Sequence, residues 1–169
     1  MFEKGELVVY GRNGICEVTG ITPMKLDGKK EERLYYILIP VKDRSGKIFT
    51  PVDNHKVPMR HVISKDEAVR LIDGIAQIAE LGIENDKTRE LSYKECMKSC
   101  QCTEWVRMIK TLRHRRAKRL SEGKKITATD ERYLRQAQDS LYAELSVALG
   151  IPECDVEGYI GAHLGEKKE

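Results

Sequence analysis

Nine basic side chains fall between residues 103 and 125: Arg107, Lys110, Arg113, Arg115, Arg116, Lys118, Arg119, Lys124 and Lys125, against only Glu104 and Glu122. Almost no acidic residue stands at the i,i+4 spacing that would neutralise them along a helix. Cations concentrated in this way suit phosphate oxygens, which are bound through charge and counterion release whatever the base sequence. The competing reading is a solvated face whose cations offset carboxylates elsewhere, such as Glu131 and Glu144. The continuity of the segment favours phosphate, and the candidate contacts are Arg107, Lys110, Arg113, Lys118, Lys124 and Lys125. Arg116 is set apart, because helical spacing turns it to the apolar side, where a carboxylate partner is expected.

Other residues could in principle do chemistry. Cys96-x₃-Cys100-x-Cys102 invites a metal or redox role, but structural zinc usually takes two spaced ligand pairs, and no CxxC occurs in the chain. On a helix Cys96 and Cys100 share one face, as small buried hydrophobes do. His55, His61, His114 and His163 are scattered and show no HExxH spacing. Gly11-x-x-Gly14 lacks the lysine and hydroxyl of a phosphate loop and joins two strands. No serine or cysteine has an evident base partner. Trp105, the single tryptophan, could stack on bases, yet it shares a face with Met108, Ile109 and Leu112 and reads as a core anchor. The expectation is a binding protein: no catalytic residues, no metal, no cofactor and no small-molecule substrate.

The elements that must position these residues change character along the chain. Residues 1–62 open with Leu7-Val-Val-Tyr10, a glycine-bounded turn at Gly11-Arg-Asn-Gly14, and a second β-type run marked by Ile15, Val18 and Ile21. Strand signals recur at Leu34 to Ile39, ended by Pro40, and at Lys47 to Thr50, ended by Pro51, with a weaker one from Val57 to Val62. Turns are read at Leu26-Asp-Gly-Lys29 and Asp43-Arg-Ser-Gly46. Four or five short strands in about sixty residues predict a small antiparallel barrel of SH3 or Tudor type.

At Ser64-Lys-Asp-Glu67 a capping box starts a helical pattern. Val69, Leu71, Ile72, Ile75, Ile78 and Ala79 carry the first helix, interrupted at Gly82 and Glu84-Asn-Asp-Lys87. A second is read from Ser92 to about Cys100. The third starts near Thr103, with Trp105, Met108, Ile109, Leu112 and Leu120 on one face and Arg107, Lys110, His114 and Lys118 opposite. A fourth begins at Thr127 or Thr129 with the stripe Tyr133, Leu134, Ala137, Leu141, Leu145 and Ala148. A short fifth runs through Val156, Tyr159, Ile160 and Leu164, before a polar tail at residues 165–169. The predicted class is α+β: a barrel over residues 1–62, then an all-α domain of about five helices over residues 63–169.

Composition agrees with two small domains in 169 residues, 34% of them charged. The net charge of +3 conceals the local concentration already described. Five cysteines, an odd number, fit reduced thiols and a cytoplasmic location. No segment has the ~18 apolar residues that span a bilayer, so no membrane contact is expected.

One resemblance gathers these readings. Phe2-x-x-Gly5-x-x-Val8-Val9-Tyr10, Gly14 after the turn, then Pro51, Arg60 and a capped helix are similar to the CarD-like bacterial transcription regulators. The resemblance extends to Ala128-Thr-Asp-Glu-Arg-Tyr-Leu134, Ala137, Leu141, Glu144 and Leu145. It implies a Tudor-like domain, shared with transcription-repair coupling factors, that docks on the β subunit of RNA polymerase. It also implies a helical domain that touches promoter DNA at the upstream edge of the melted region and modulates open-complex stability. Docking would use an exposed strand edge, with contacts in Pro23 to Gly28 and Lys47 to Val52: Met24, Lys25, Lys47, Phe49 and Pro51. Met24 and Phe49 stand where many members carry basic residues. Those members also place a tryptophan four residues before a tyrosine; with Tyr93 as that tyrosine, Arg89 occupies the position and becomes the groove-entering candidate. The missing tryptophan keeps a protein-only adaptor, whose helical domain binds protein, as the alternative. A thiol or metal sensor stands behind it.

Overall fold

The structure, a computed structural model, describes residues 1–166. It forms two compact units that part between Val62 and Ile63, and the polar tail from residue 167 lies outside the described residues. The class is α+β.

In the first unit, strands β1 (Leu7–Tyr10), β2 (Ile15–Met24), β3 (Arg33–Pro40), β4 (Ile48–Pro51) and β5 (Met59–His61) form one antiparallel sheet in the order β4-β3-β2-β1-β5. Strand alternation sends Val8, Tyr10, Cys16, Val18, Tyr36 and Leu38 into one core, closed by Phe2, Ile48, Val52, Val57 and Met59. Val8, Val18 and Leu38 are fully buried, each stabilising the fold by roughly 1.5–3 kcal/mol. The expected turn is a short 3₁₀ segment, Gly11–Asn13, with Gly11 at φ +47° and Gly14 at φ +68°. A Cβ on Gly11 would lie 2.6 Å from Val57 Cγ1, so the turn needs glycine for space as well as for its dihedral. The small antiparallel barrel expected from sequence is a loose one, whose sheet does not close. Among the described residues no ladder joins β4 to β5, which are its two edges. β5 is also shorter than the span Val57 to Val62.

The second unit holds α1 (Lys65–Asp73), α2 (Asp86–Ser99), α3 (Cys102–Ser121), α4 (Ala128–Leu149) and α5 (Val156–Glu166). Ser64 caps α1 as the capping box requires: its side chain accepts from Glu67 N, and Ser64 N donates to Glu67 at 2.7 Å. Two boundaries differ from expectation. α1 ends at Asp73, because Gly74 adopts a bridge conformation (φ −89°, ψ 0°) and a 3₁₀ turn follows at Ile75–Gln77. α2 begins six residues before Ser92, because Asn85 caps it by accepting from Lys87 N. The polar run read as an interruption is therefore a helix start.

The core gathers Trp105, Met108, Ile109 and Leu112 of α3 with Tyr133, Leu134, Ala137, Leu141 and Leu145 of α4, all buried. Leu120 departs from its expected face and is 59% exposed. Thr127 caps α4 by accepting from Asp130 N. Buried Glu144 of α4 anchors the start of this unit: it accepts from Ile63 N at 3.0 Å and from the Cys102 thiol at 3.1 Å. Among the described residues no helix is long and apolar enough to cross a membrane.

Candidate functional site

The sheet register sorts the residues proposed for protein docking. Phe49 lies opposite Ile37, Pro51 opposite Tyr35, and Met24 opposite Arg33. Ile37, Tyr35 and Arg33 alternate with Tyr36 and Leu38, so Phe49, Pro51 and Met24 share the face opposite that cluster, on which Tyr35 is itself buried. Phe49 is 45% exposed there. Lys25 lies just beyond the end of β2 and Lys47 just before β4, both exposed. Arg33 and Asp53 form an ion pair at 2.5 Å beside this face, and the guanidinium draws the Asp53 carboxyl below its usual range. Along β4 one backbone edge is paired with β3; the other has no ladder partner among the described residues. Pro51, which has no N–H to donate, fits such an edge.

The cations of α3 divide into two groups, which sequence alone reads as one. In the first half, Arg107, Lys110, Thr111 and His114 form one stripe at helical spacing, and every one of them grips the segment between α1 and α2. Arg107 Nε donates to Ala79 O at 3.2 Å, and its guanidinium pairs with Glu104. Lys110 Nζ donates to Ile75 O at 2.8 Å, Ala76 O at 3.5 Å and Ile78 O at 2.6 Å. Thr111 Oγ1 accepts from Leu81 N, and His114 Nδ1 lies 3.2 Å from the Glu80 carboxylate. Arg113, off this stripe, bonds Tyr142 OH and Glu157. The expectation of unpaired cations fails for Arg107, Lys110 and Arg113: Arg107 pairs with Glu104 one turn back on the same helix, and the remaining partners of all three come from other segments. Helical periodicity cannot register such partners.

The second half behaves differently. Arg115 donates to Asp130 at 2.7 Å and lies 3.8 Å from Asp86. Asp130, 2% exposed, also accepts from Tyr93 OH at 3.2 Å. Tyr93 OH in turn accepts from Arg89, whose Nε donates to Asp86 at 3.1 Å. These five residues form a closed ring that welds the start of α2, the end of α3 and the start of α4. Burial raises the Tyr93 pKa, keeping its hydroxyl as a donor to Asp130.

Beyond the ring, Arg116, Lys118, Lys124 and Lys125 are exposed. Among the described residues the side chains of Arg116, Lys118 and Lys125 make no ion pair or hydrogen bond. Lys124 lies 3.7 Å from the exposed Glu122, and Arg119 donates to Lys125 O. The carboxylate partner expected for Arg116 on the apolar side is not there; the side chain is exposed. Arg89, the groove-entering candidate, is a half-buried member of the ring. Sequence reasoning has no signal for the ring itself, whose members are separated by up to 44 positions.

Cys96, Cys100 and Cys102 are buried. The Cys96 thiol donates to Glu104 at 3.6 Å, and burial, with Glu104 adding, pushes its pKa up to about 11. A thiol held so far from its thiolate is a poor nucleophile and metal ligand at neutral pH. Among the described residues no group of three or more His, Cys, Asp or Glu side chains could hold a metal ion.

Comparison with known proteins finds a match over the sheet. Residues 2–63 match the CarD-like/TRCF RID domain, a family of RNA polymerase-interacting domains that bind protein and not substrate. No curated protein matches the chain. The match begins at Phe2, whose ring packs edge-on against Tyr36 at 5.8 Å, and ends as α1 is about to start, so it coincides with the first compact unit. Over residues 2–63, its first compact unit, the chain is similar to the CarD-like/TRCF RID domain.

Proposed function

We propose that this protein is a bacterial, cytoplasmic transcription regulator. Its sheet docks on the β subunit of RNA polymerase, and its helical unit contacts promoter DNA and modulates open-complex stability. The observation that carries the first half is the family match, joined to an edge strand with Phe49 exposed beside it. Strand addition along β4 would supply backbone bonds, while Phe49, Pro51 and Met24 present an apolar face and Lys25 and Lys47 flank it. The second half rests on the solvent-facing cations Arg116, Lys118, Lys124 and Lys125, in line with Arg119 at the end of α3. Arg107, Lys110, Arg113 and Arg89 reach phosphate only by leaving their present partners.

Binding of the full chain to purified polymerase β subunit, compared with Phe49→Glu, tests the docking face; the variant is expected to lose at least tenfold in affinity. Equal binding by both would remove β4 from the interface. Open-complex lifetime on a fork-junction promoter tests both contacts together. The protein-only adaptor is favoured by one observation: much of the cationic stripe of α3 is occupied within the unit. A salt-independent partner, with no duplex binding at low salt, would support that reading.

A further inference from the structure

The segment from Gly74 to Asn85 connects α1 to α2 with a single 3₁₀ turn and otherwise irregular backbone. None of its side chains is buried; Ile75, Ile78, Leu81 and Ile83 are half-buried, and the polar and small residues between them are exposed. A strap with so few buried contacts is drawn from the low-stability end of a fold. What holds it is polar: Lys110 on three carbonyls, Arg107 on a fourth, Leu81 N on Thr111 Oγ1, and Glu80 beside His114. An open cleft of about 270 Å³ lies where Leu81, Gly82 and Ile83 face Cys96 and Ser99 of α2 and Arg107 of α3, so the strap is underpacked on its inner side as well.

Carbonyl oxygens and phosphate oxygens are acceptors for the same donors. Arg107, Lys110 and His114 are spaced one turn apart along α3, the arrangement that lets cations track a backbone. We propose that the strap is an autoinhibitory cover. In its seated position it occupies a latent anion-binding stripe of Arg107, Lys110 and His114, and a nucleic-acid backbone first held at Lys118 and Lys125 displaces it to gain that stripe. The inference rests on the DNA reading above and adds a conformational step to it. Binding is weakened by the fraction of molecules in which the strap is seated. Loosening the strap without touching its cations therefore tightens binding.

The test uses the full chain and a short mixed-sequence DNA duplex at low salt. Amide exchange at Leu81, whose N–H donates to Thr111, is measured with and without saturating duplex. Protection at Leu81 is expected to fall by at least tenfold in the complex while the interior of α3 stays protected. Thr111→Val removes the acceptor but keeps shape and charge; it is expected to bind duplex several-fold more tightly, with a steeper salt dependence. Duplex binding with Leu81 protection unchanged, or Thr111→Val binding no more tightly than the parent, overturns the cover while leaving the DNA reading in place. A parent chain that binds no duplex at any salt concentration overturns both.

Discussion

The two halves of α3 both carry arginine and lysine and put them to different uses. Before Arg115 the cations face neighbouring segments, which supply Ala79 O, Ile75 O, Ile78 O, Glu80 and Glu157 as acceptors. After Arg115, Arg116 and Lys118 face solvent. Charge density along a sequence therefore reports how many cations exist, not how many are available. Availability is decided by what crosses the helix, and a crossing segment brings backbone carbonyls that charge counting never includes.

The largest effect is expected at the border between the halves. Asp130→Ala leaves Arg115 and Tyr93 facing a site without their shared acceptor. Removing one partner of a buried ion pair costs about 3 kcal/mol or more, so urea unfolding should show a loss of that size. Asp130→Asn keeps an acceptor for Tyr93 and should lose less. If Asp130→Ala is as stable as the parent, the ring does not fix the end of α3, and the contrast between the halves loses its structural basis.

Next in size is the binding contrast. Replacing Arg116, Lys118 and Lys125 with alanine should weaken duplex binding by at least tenfold and reduce the salt slope by roughly 0.9 for each phosphate that is no longer neutralised. Arg113→Ala, which removes a cation already bonded to Tyr142 and Glu157, should leave the slope nearly unchanged. Equal effects from the two variants would mean that the halves are equivalent in the complex.

How far the sequence foreshadows this depends on the range of the interaction. The capping box at Ser64, the turn at Gly11, the core stripe of α4 and the burial of Trp105 are local or periodic, and all are legible. So is the change from β to α near residue 63. The end of α1 is hidden because Ile75 and Ile78 keep helical spacing after Gly74 has left helical geometry. The start of α2 is hidden because Asn85-Asp-Lys87 is equally good as a loop and as a cap with its first turn. The open sheet is hidden because closure depends on whether two edges meet, which no strand signal encodes. Apart from Glu104, three residues before Arg107, the partners of Arg107, Lys110 and Arg113 lie 28 to 44 positions away, beyond any pattern that spacing can carry.

A smaller effect follows at the strap. Lys110→Met removes three donated bonds at once, but their carbonyl acceptors stand on a largely exposed segment and can turn to water. The loss of global stability is expected near 1 kcal/mol, while amide exchange across residues 75–83 should accelerate by tenfold or more. A global loss of several kcal/mol would show that the strap is part of the cooperative core and not a separate, weakly held element.

The smallest effect tests whether the charge of Arg107 is directed inward. Burial and Glu104 raise the Cys96 pKa to about 11, and Arg107 is the neighbour that pulls it back. Removing the cation in Arg107→Met should raise the pKa further, leaving less thiolate at any given pH and slowing iodoacetamide alkylation of Cys96 near pH 10 by a few-fold. The folded-state value lies above the ordinary thiol value of 9.0, so the stability tied to this thiol is intact below pH 9 and is lost as pH rises toward 11. In Arg107→Met that window extends upward. Arg116→Met, which removes a cation from the solvent-facing half, should leave Cys96 unchanged, and Cys16, also held at about 11 by burial, serves as the reference thiol in the other unit. If Arg107→Met and Arg116→Met alkylate alike, Arg107 spends its time facing water, and the two halves of α3 differ less than their partners in the fold imply.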